Sequence, residues 1–272
     1  MLVASNDKRP TMPVPKQVVN LFGQNPNQIM QSIGPVKNLA LSPMAATDKP
    51  SEKKAADLSI TIVPREKKNG KHLVLDLDET LVHTFDEKDG LAEFVNYLTP
   101  EQRKRIYMIE FPGGDTLWGY VRPYAEEFLK VAFNEFESVG VWSAGTQYYV
   151  ANIVQVIFKD QSPKFVMSRN QCNELKIKTE EIPCRYKPLE IIYRNHPDHT
   201  QGNTVIVDDR HDICALNCMN NIRIPEFNIN NFNNSTMVND ITLLTLARWF
   251  QNPEFRDAPD VRLVKSRSPF KI

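Results

Sequence analysis

The stretch Lys71–Phe85, KHLVLDLDETLVHTF, decides how this chain is read. Leu73, Val74 and Leu75 form an unbroken apolar run, the pattern of a strand buried on both faces. Directly after it, Asp76, Asp78 and Thr80 alternate with Leu77 and Glu79. Two carboxylates where a core strand ends need a reason, because a buried charge is costly unless it is paired.

Working outward, Ile106–Phe111 and Leu117–Val121 read as short strands joined at PGGD, so a β-hairpin is expected. RPYAEEFLKVAFNEF spaces Phe128, Val131, Ala132 and Phe136 along one helical face, with Pro123 suited to the first turn. VGVWSAG is a second buried strand ending at Ser143. TQYYVANIVQVIF is an amphipathic helix with Thr146 or Gly145 near its cap. KFVMS reads as a strand and YKPLEIIYRN as a short helix. NTVIVDDRHDI is an apolar run that ends in Asp208 and Asp209. INNFNNST is an Asn-rich loop, and NDITLLTLARWFQN closes with a helix capped by Asn239 or Asp240.

Strands alternating with helices predict an α/β fold: a Rossmann-like parallel sheet with helices on both faces, carrying a small β-hairpin insert after the first motif. Ligands bind at the carboxyl ends of such strands. Asp76 and Asp78, Ser143, and Asp208 and Asp209 are therefore expected to converge on one cleft. The carboxylates sit at the rim of the core, not inside it.

The 272 residues suffice for one sizeable domain with tails. Residues 1–68 are rich in Pro, Asn, Ser and Lys and are expected to be a disordered tail, with KQVVNLF as a docking segment or a transient helical turn. Residues 69–265 form the expected domain and 266–272 a short tail. With 33 basic and 33 acidic side chains the net charge is zero, which argues against direct nucleic-acid binding through bulk charge. No apolar run is long enough to span a membrane. Four cysteines in a chain this long do not make a disulfide framework, so a reducing compartment, nuclear or cytoplasmic, is expected. REKKNGK before the first strand reads as a solvated linker.

Clustered carboxylates raise one another's pKa unless a cation neutralises them. Asp76, Asp78, Asp208 and Asp209 are hard oxygen donors of the kind that hold Mg²⁺ beside a phosphoryl group. Such a group also needs donors and positive charge. Ser143 can donate, and Lys187 is the candidate cation, with Lys176 and Lys178 as rivals. The Asp76/Asp78 spacing suits a division of labour. One carboxylate attacks phosphorus, and the other protonates the leaving oxygen and then activates water. Thr80 is placed to orient that second carboxylate.

The motif DLDET resembles the DxDxT signature of haloacid dehalogenase-type phosphatases. LVLDLDETLVHT, VRPYAEEFL, VGVWSAGTQYYV, SRNQC, RYKPLEII and VIVDDRHDI resemble, in order, the motifs of one branch. That branch holds the RNA polymerase II C-terminal-domain phosphatases and NLI-interacting-factor-like proteins. The resemblance covers residues 71–265. It implies a Mg²⁺-dependent protein serine/threonine phosphatase with an aspartyl-phosphate intermediate. Asp76, Asp78, Thr80, Ser143 and Lys187 would be catalytic. Asp76, Asp78, Asp208 and Asp209 would hold the metal, and Arg169, Ser143 and Lys187 would contact substrate. The implied partner is a phosphoprotein, with the polymerase C-terminal domain as one candidate, and the implied state is a monomer.

Two rival classes remain at this point: a non-catalytic phosphopeptide-binding module of the same fold, and a small-molecule phosphatase. Arg169 reads equally as a surface salt-bridging residue. Cys214 and Cys218, with His211 nearby, read as buried thiols rather than a zinc site. His196 and His199 read as parts of a solvated loop. Tyr148 and Tyr149 read as helix-face packing, with one of them open to a role in the cleft. Phe111, Leu117 and Trp118 of the insert are apolar candidates for gripping a peptide.

Overall fold

The computed structural model describes residues 59–62, 64, 67–85, 98–175, 184–210, 212–229, 240–264 and 268–270. Lys176, Lys178 and residues 230–236 of the Asn-rich loop lie outside them, as do KQVVNLF, His211 and the Cys214 side chain.

Strand β1, His72–Leu75, is buried at every residue. It pairs in parallel with β5, Ser138–Trp142, on one side and β9, Thr204–Asp208, on the other. Strand β6, Val166–Met167, extends the sheet beyond β5, and β10, Asn221–Arg223, extends it beyond β9. The result is a five-stranded parallel sheet in the order β10-β9-β1-β5-β6. The chain turns to opposite sides of β1, so a topological switch point lies beside the strand that carries Asp76 and Asp78.

Side chains alternate across a strand, and this decides which helices cover each face. Leu73 and Leu75 pack with Phe128 and Ala132 of helix α2, Ala125–Glu135. On the same side lie Ile153 of α3, Gln147–Phe158, and Leu246 and Phe250 of α5, Thr242–Gln251. Val74 faces the other way, with Trp142, Ile206, Leu189 and Ile192, the last on α4, Glu190–Asn195. Burying one such aliphatic side chain stabilises by about 1.5–3 kcal/mol. The expected α/β sheet with helices on both faces is the observed one.

The insert is larger than the expected hairpin. Strands β3, Ile106–Glu110, and β4, Thr116–Val121, form that hairpin, and β2, Val82–Phe85, joins β4 to give the order β2-β4-β3. Gly113 and Gly114 make the turn with φ of 127° and 95°, which side-chain-bearing residues rarely adopt. A short helix α1, Pro100–Arg103, starts with a capping box between Thr99 and Gln102. A second small pair, β7 (Asn173–Leu175) with β8 (Cys184–Tyr186), leads the chain to Lys187.

Three local expectations shift. Pro123 precedes α2 instead of opening it, and Tyr124 takes the cap position with φ of 64°. Thr146, not Gly145, caps α3, its Oγ1 accepting from Tyr149 N–H. Asp240 accepts from Thr242 N–H at 2.9 Å, one residue outside the cap position held by Ile241. Residues 59–62 also lie on the domain. Ile60 and Ile62 are half-buried against the core while Ser59 and Thr61 are exposed. Arg248 and Gln251 of α5 donate to the Ser59 and Thr61 carbonyls at 3.1 and 3.2 Å. Phe270 packs against the same core.

Candidate active site

The site begins with strand register. Leu75 stands opposite both Val141 and Val207, so β1, β5 and β9 end level with one another. Asp76 N–H still donates to Val207 O at 3.0 Å, which places Asp76 beside Asp208. Carboxylate oxygens of Asp76, Asp208 and Asp209 lie within 4.8 Å of one another, and all three residues are buried. Lys187, delivered by β8, is wholly buried among them. Its Nζ donates to Asp76 Oδ1 at 2.5 Å and to Asp208 Oδ2 at 2.7 Å. Arg210 N–H donates to Asp208 Oδ1 at 3.0 Å, and Thr80 Oγ1 donates to Asp209 Oδ1 at 3.3 Å.

Burial lifts Asp76 well above the ordinary carboxylate value; Lys187 opposes the lift, and Asp208 and Asp78 add to it. Asp209 is pushed up to about 6, by burial first and by the Asp208 charge second. Burial alone would depress the Lys187 ammonium, but Asp208 and Asp76 together outweigh it and hold its pKa above the ordinary value. The 2.5 Å contact makes Asp76 the carboxylate of an ion pair with Lys187. Three carboxylates against one ammonium form a donor set of hard oxygens that suits a small divalent cation.

Asp78 belongs elsewhere. Leu77 O accepts from Leu81 N–H at 2.8 Å and Val82 N–H at 3.0 Å, and Glu79 takes φ of 57°. Within this tight turn the Asp78 carboxylate meets Ser143, whose Oγ donates to Oδ2 at 3.0 Å. Gly145 N–H in turn donates to Ser143 Oγ at 2.9 Å, and the Tyr149 hydroxyl donates to Asp78 Oδ1. Of the four aspartates expected to hold a metal, Asp76, Asp208 and Asp209 form the close trio, and the Asp78 carboxylate lies outside it. Thr80, expected to orient Asp78, instead donates to Asp209.

The other expected residues sort by position. Arg169 is exposed, and its Nε donates to Ala144 O at 3.1 Å while its N–H donates to Gly145 O at 2.8 Å. It is thus fastened to the loop that carries Ser143. Tyr149 was open between packing and the cleft, and it touches Asp78. Tyr148 donates to Glu110 O at 2.8 Å and sits against Phe111. Cys218 is exposed, which corrects the expectation of a buried thiol. His199 is 2 % exposed and stacks on His72 at 3.9 Å, which corrects the solvated-loop reading. His72, Asp198 and His199 also lie close together, at the opposite end of the sheet from Asp76.

Sequence reasoning missed Arg122. Its side chain is buried beneath the first motif, where NH1 donates to Thr80 O at 3.0 Å and NH2 to Asp240 Oδ2 at 3.0 Å and Pro225 O at 2.9 Å. The signal is the arginine of the VRPYAEEFL motif, which reads as a helix start with no role of its own.

A family model of NLI interacting factor-like phosphatases matches residues 71–262. The chain belongs to that family. The match spans both halves of the sheet and every residue of the site just described. An uncharacterised FCP1 homology domain-containing protein of Schizosaccharomyces pombe is 27% identical over 162 residues, covering 56% of this chain and 64% of that protein. Two solved structures are similar to this chain at 21% identity and a TM-score of 0.45. One is a variant of the fission yeast RNA polymerase II CTD phosphatase Fcp1 bound to beryllium fluoride, with 59% of this chain and 43% of that one covered. The other is Fcp1, an essential RNA polymerase II CTD phosphatase, with 73% and 53% covered. The chain spans under two thirds of the length of each of these relatives. Residues 71–262 thus form a domain of the NLI interacting factor-like phosphatase family, and none of the described helices is long and apolar enough to cross a membrane.

Proposed function

We propose that the chain is a Mg²⁺-dependent protein serine/threonine phosphatase that works through an aspartyl-phosphate on Asp76. One observation carries this reading: two carboxylates, two residues apart, occupy different environments. Asp76 is ion-paired to Lys187 beside Asp208 and Asp209, whereas Asp78 is held by the Ser143 and Tyr149 hydroxyls. Opposed environments are how a site assigns different chemical roles to like groups.

In the first step an Asp76 oxygen attacks phosphorus, the bond from phosphorus to the serine or threonine oxygen breaks, and Asp78 gives that oxygen its proton. In the second, Asp78 takes a proton from water, the hydroxide attacks phosphorus, and the Asp76–phosphorus bond breaks to release phosphate. Lys187 keeps Asp76 anionic and oriented, and its charge favours the approach of a phosphoryl group. Arg169, held against the loop that carries Ser143, supplies guanidinium donors on that side of the cleft, and Ser143 joins them by turning its hydroxyl from Asp78 to the phosphoryl group. Asp76, Asp208 and Asp209 are the residues that would hold Mg²⁺, with Thr80 fixing Asp209. When bound, the ion supplies positive charge that offsets the clustered carboxylates and the phosphoryl oxygens.

The substrate reading rests on the insert. It is a small sheet whose Phe111, Leu117 and Trp118 remain partly exposed, which suits an extended peptide better than an enclosed metabolite. The relative Fcp1 is an RNA polymerase II CTD phosphatase, so serine-phosphorylated, proline-containing peptides are proposed as the first candidates. Nuclear or cytoplasmic placement and a monomeric state belong to the same proposal. The test is hydrolysis of a phosphopeptide panel that includes polymerase-tail repeats, alongside sugar phosphates, with Mg²⁺ and with excess chelator. Activity on phosphopeptides should require Mg²⁺ and vanish in Asp76→Asn. Substantial turnover by Asp76→Asn, or full activity in chelator, would sink the reading.

A further inference from the structure

Thr84 and Tyr107 stand on the two outer strands of the insert, with β4 between them. Both face the same residue of β4: Thr84 is in register with Gly119, and so is Tyr107. The absence of a side chain there is used. A Cβ on Gly119 would stand 2.1 Å from Tyr107 Cζ, 2.2 Å from its hydroxyl oxygen and 2.7 Å from His83 O. Tyr107 therefore lays its ring across β4 and brings its hydroxyl to 2.6 Å from Thr84 Oγ1. Thr84 Oγ1 is also 2.6 Å from the Tyr149 hydroxyl, which donates to Asp78 Oδ1. Four side chains from β3, β2, α3 and the first motif thus form one hydrogen-bonded line.

The line has a direction. Tyr149 donates its one hydroxyl hydrogen to Asp78 Oδ1, which leaves its oxygen to accept; Thr84 is then free to donate to Tyr149, and Tyr107 to Thr84. Both phenols are buried, and burial raises both above the ordinary tyrosine value, so they remain neutral donors. Linked hydrogen bonds of this kind polarise and fix one another. Without Thr84 and Tyr107, the Tyr149 hydroxyl would keep its ring packing but lose what aims it.

We propose that Tyr107 and Thr84 are positioning residues for Asp78, acting through Tyr149, and that Gly119 admits the Tyr107 ring for this purpose. The insert then serves the chemistry as well as the peptide: it fixes the group that protonates the leaving oxygen. The proposal rests on the reading of Asp78 given above.

The test uses Tyr107→Phe, which keeps the ring over Gly119, and Thr84→Val, which keeps the shape of the residue. Each is measured with Mg²⁺ in single-turnover release of the leaving group from phenyl phosphate, a poor leaving group, and p-nitrophenyl phosphate, a good one. Loss of one net hydrogen bond corresponds to about fivefold. Tyr107→Phe should slow phenol release about fivefold and nitrophenol release less than about twofold, with KM nearly unchanged. Thr84→Val should do at least as much, and the double variant should be no slower than Thr84→Val, because the line is already cut. Wild-type rates in both single variants, or equal slowing with both leaving groups, would overturn the proposal. Asp78→Asn separates the two levels of the argument. If it shows no dependence on leaving group, the acid–base reading of Asp78 fails and the positioning role with it. If it shows that dependence and the Tyr107 and Thr84 variants do not, only the positioning role fails.

Discussion

Asp76 and Lys187, 111 residues apart in sequence, meet at 2.5 Å at the carboxyl end of β1. The lysine side chain has no solvent exposure, and Asp208 shares its ammonium at 2.7 Å. Removing one partner of a buried pair leaves uncompensated charge and costs about 3–5 kcal/mol. Lys187→Met should therefore lower unfolding free energy by that order in Mg²⁺-free buffer and cut turnover at least about a hundredfold. Mg²⁺ should restore part of the stability, since it offers the carboxylates a second source of positive charge, but not the turnover. Urea unfolding with and without Mg²⁺, beside phosphopeptide kinetics, checks both. Near-normal turnover in Lys187→Met would remove the lysine from the chemistry.

The parts of the site that sequence reveals are those fixed by strand ends. Asp76, Ser143 and Asp208 each follow an apolar run, so parallel topology alone brings them together. What stays hidden is decided by directions that no periodicity encodes. In the tight turn that includes Glu79, Asp78 meets Ser143 and Tyr149 instead of joining the other aspartates. Tyr149 occupies a helix-face position that packing would explain equally well, and only its hydroxyl contact shows its role. β10 is three residues with one buried side chain, too short for any alternation to register. Arg122 reads only as the start of a helix, because its partners, Thr80, Pro225 and Asp240, come from three distant segments.

Arg122 makes a second prediction. Its guanidinium donates to the Glu79, Thr80 and Pro225 carbonyls and to Asp240, and packs over Phe227 at 5.1 Å. Lysine keeps the charge but cannot reproduce a planar fork with several fixed donors. Arg122→Lys should destabilise the domain by roughly 2–4 kcal/mol, in the range of a broken buried network. Chemical denaturation measures it. A loss under about 0.5 kcal/mol, the range of an ordinary surface substitution, would mean that the carbonyls find other donors at no cost.

Truncation separates two parts of the N-terminal region. Ile60 and Ile62 lie half-buried against the core, with the Ser59 and Thr61 carbonyls held by α5, so a chain starting at residue 59 keeps these contacts and one starting at residue 66 does not. Half-burial of two isoleucines stabilises by about 1–2 kcal/mol after allowance for ordering the segment. The shorter chain should unfold at lower urea concentration by that amount, with p-nitrophenyl phosphate hydrolysis unchanged in both. Equal midpoints would show that residues 59–62 add nothing to the domain.

The last prediction concerns acid stability, and it is set far from the chemistry. His199 is buried, stacked on His72, and bonded through Nδ1 to Asp198 and through Nε2 to Ser138. Burial first, and the neighbouring His72 second, lower its pKa to about 4, although Asp198 pulls the other way. His72 is lowered too, by burial above all, with Asp198 and Glu137 opposing and Lys164 assisting. His196, beside them, is lowered for the same leading reason. The sign follows from proton counting. Between an ordinary histidine value of about 6.5 and the folded value, the unfolded chain binds protons that the folded protein refuses. The histidine contribution to stability is therefore flat above neutrality and falls as the pH drops from about 6.5 toward 4. Asp76 and Asp209, with raised values, work in the opposite direction, so the wild-type curve alone is ambiguous. Comparison with His199→Asn removes that ambiguity, because the aspartate contribution is common to both proteins. The variant should be less stable at pH 7.5, yet lose less on going to pH 5. Parallel curves for the two proteins would mean that His199 titrates alike in the folded and unfolded states.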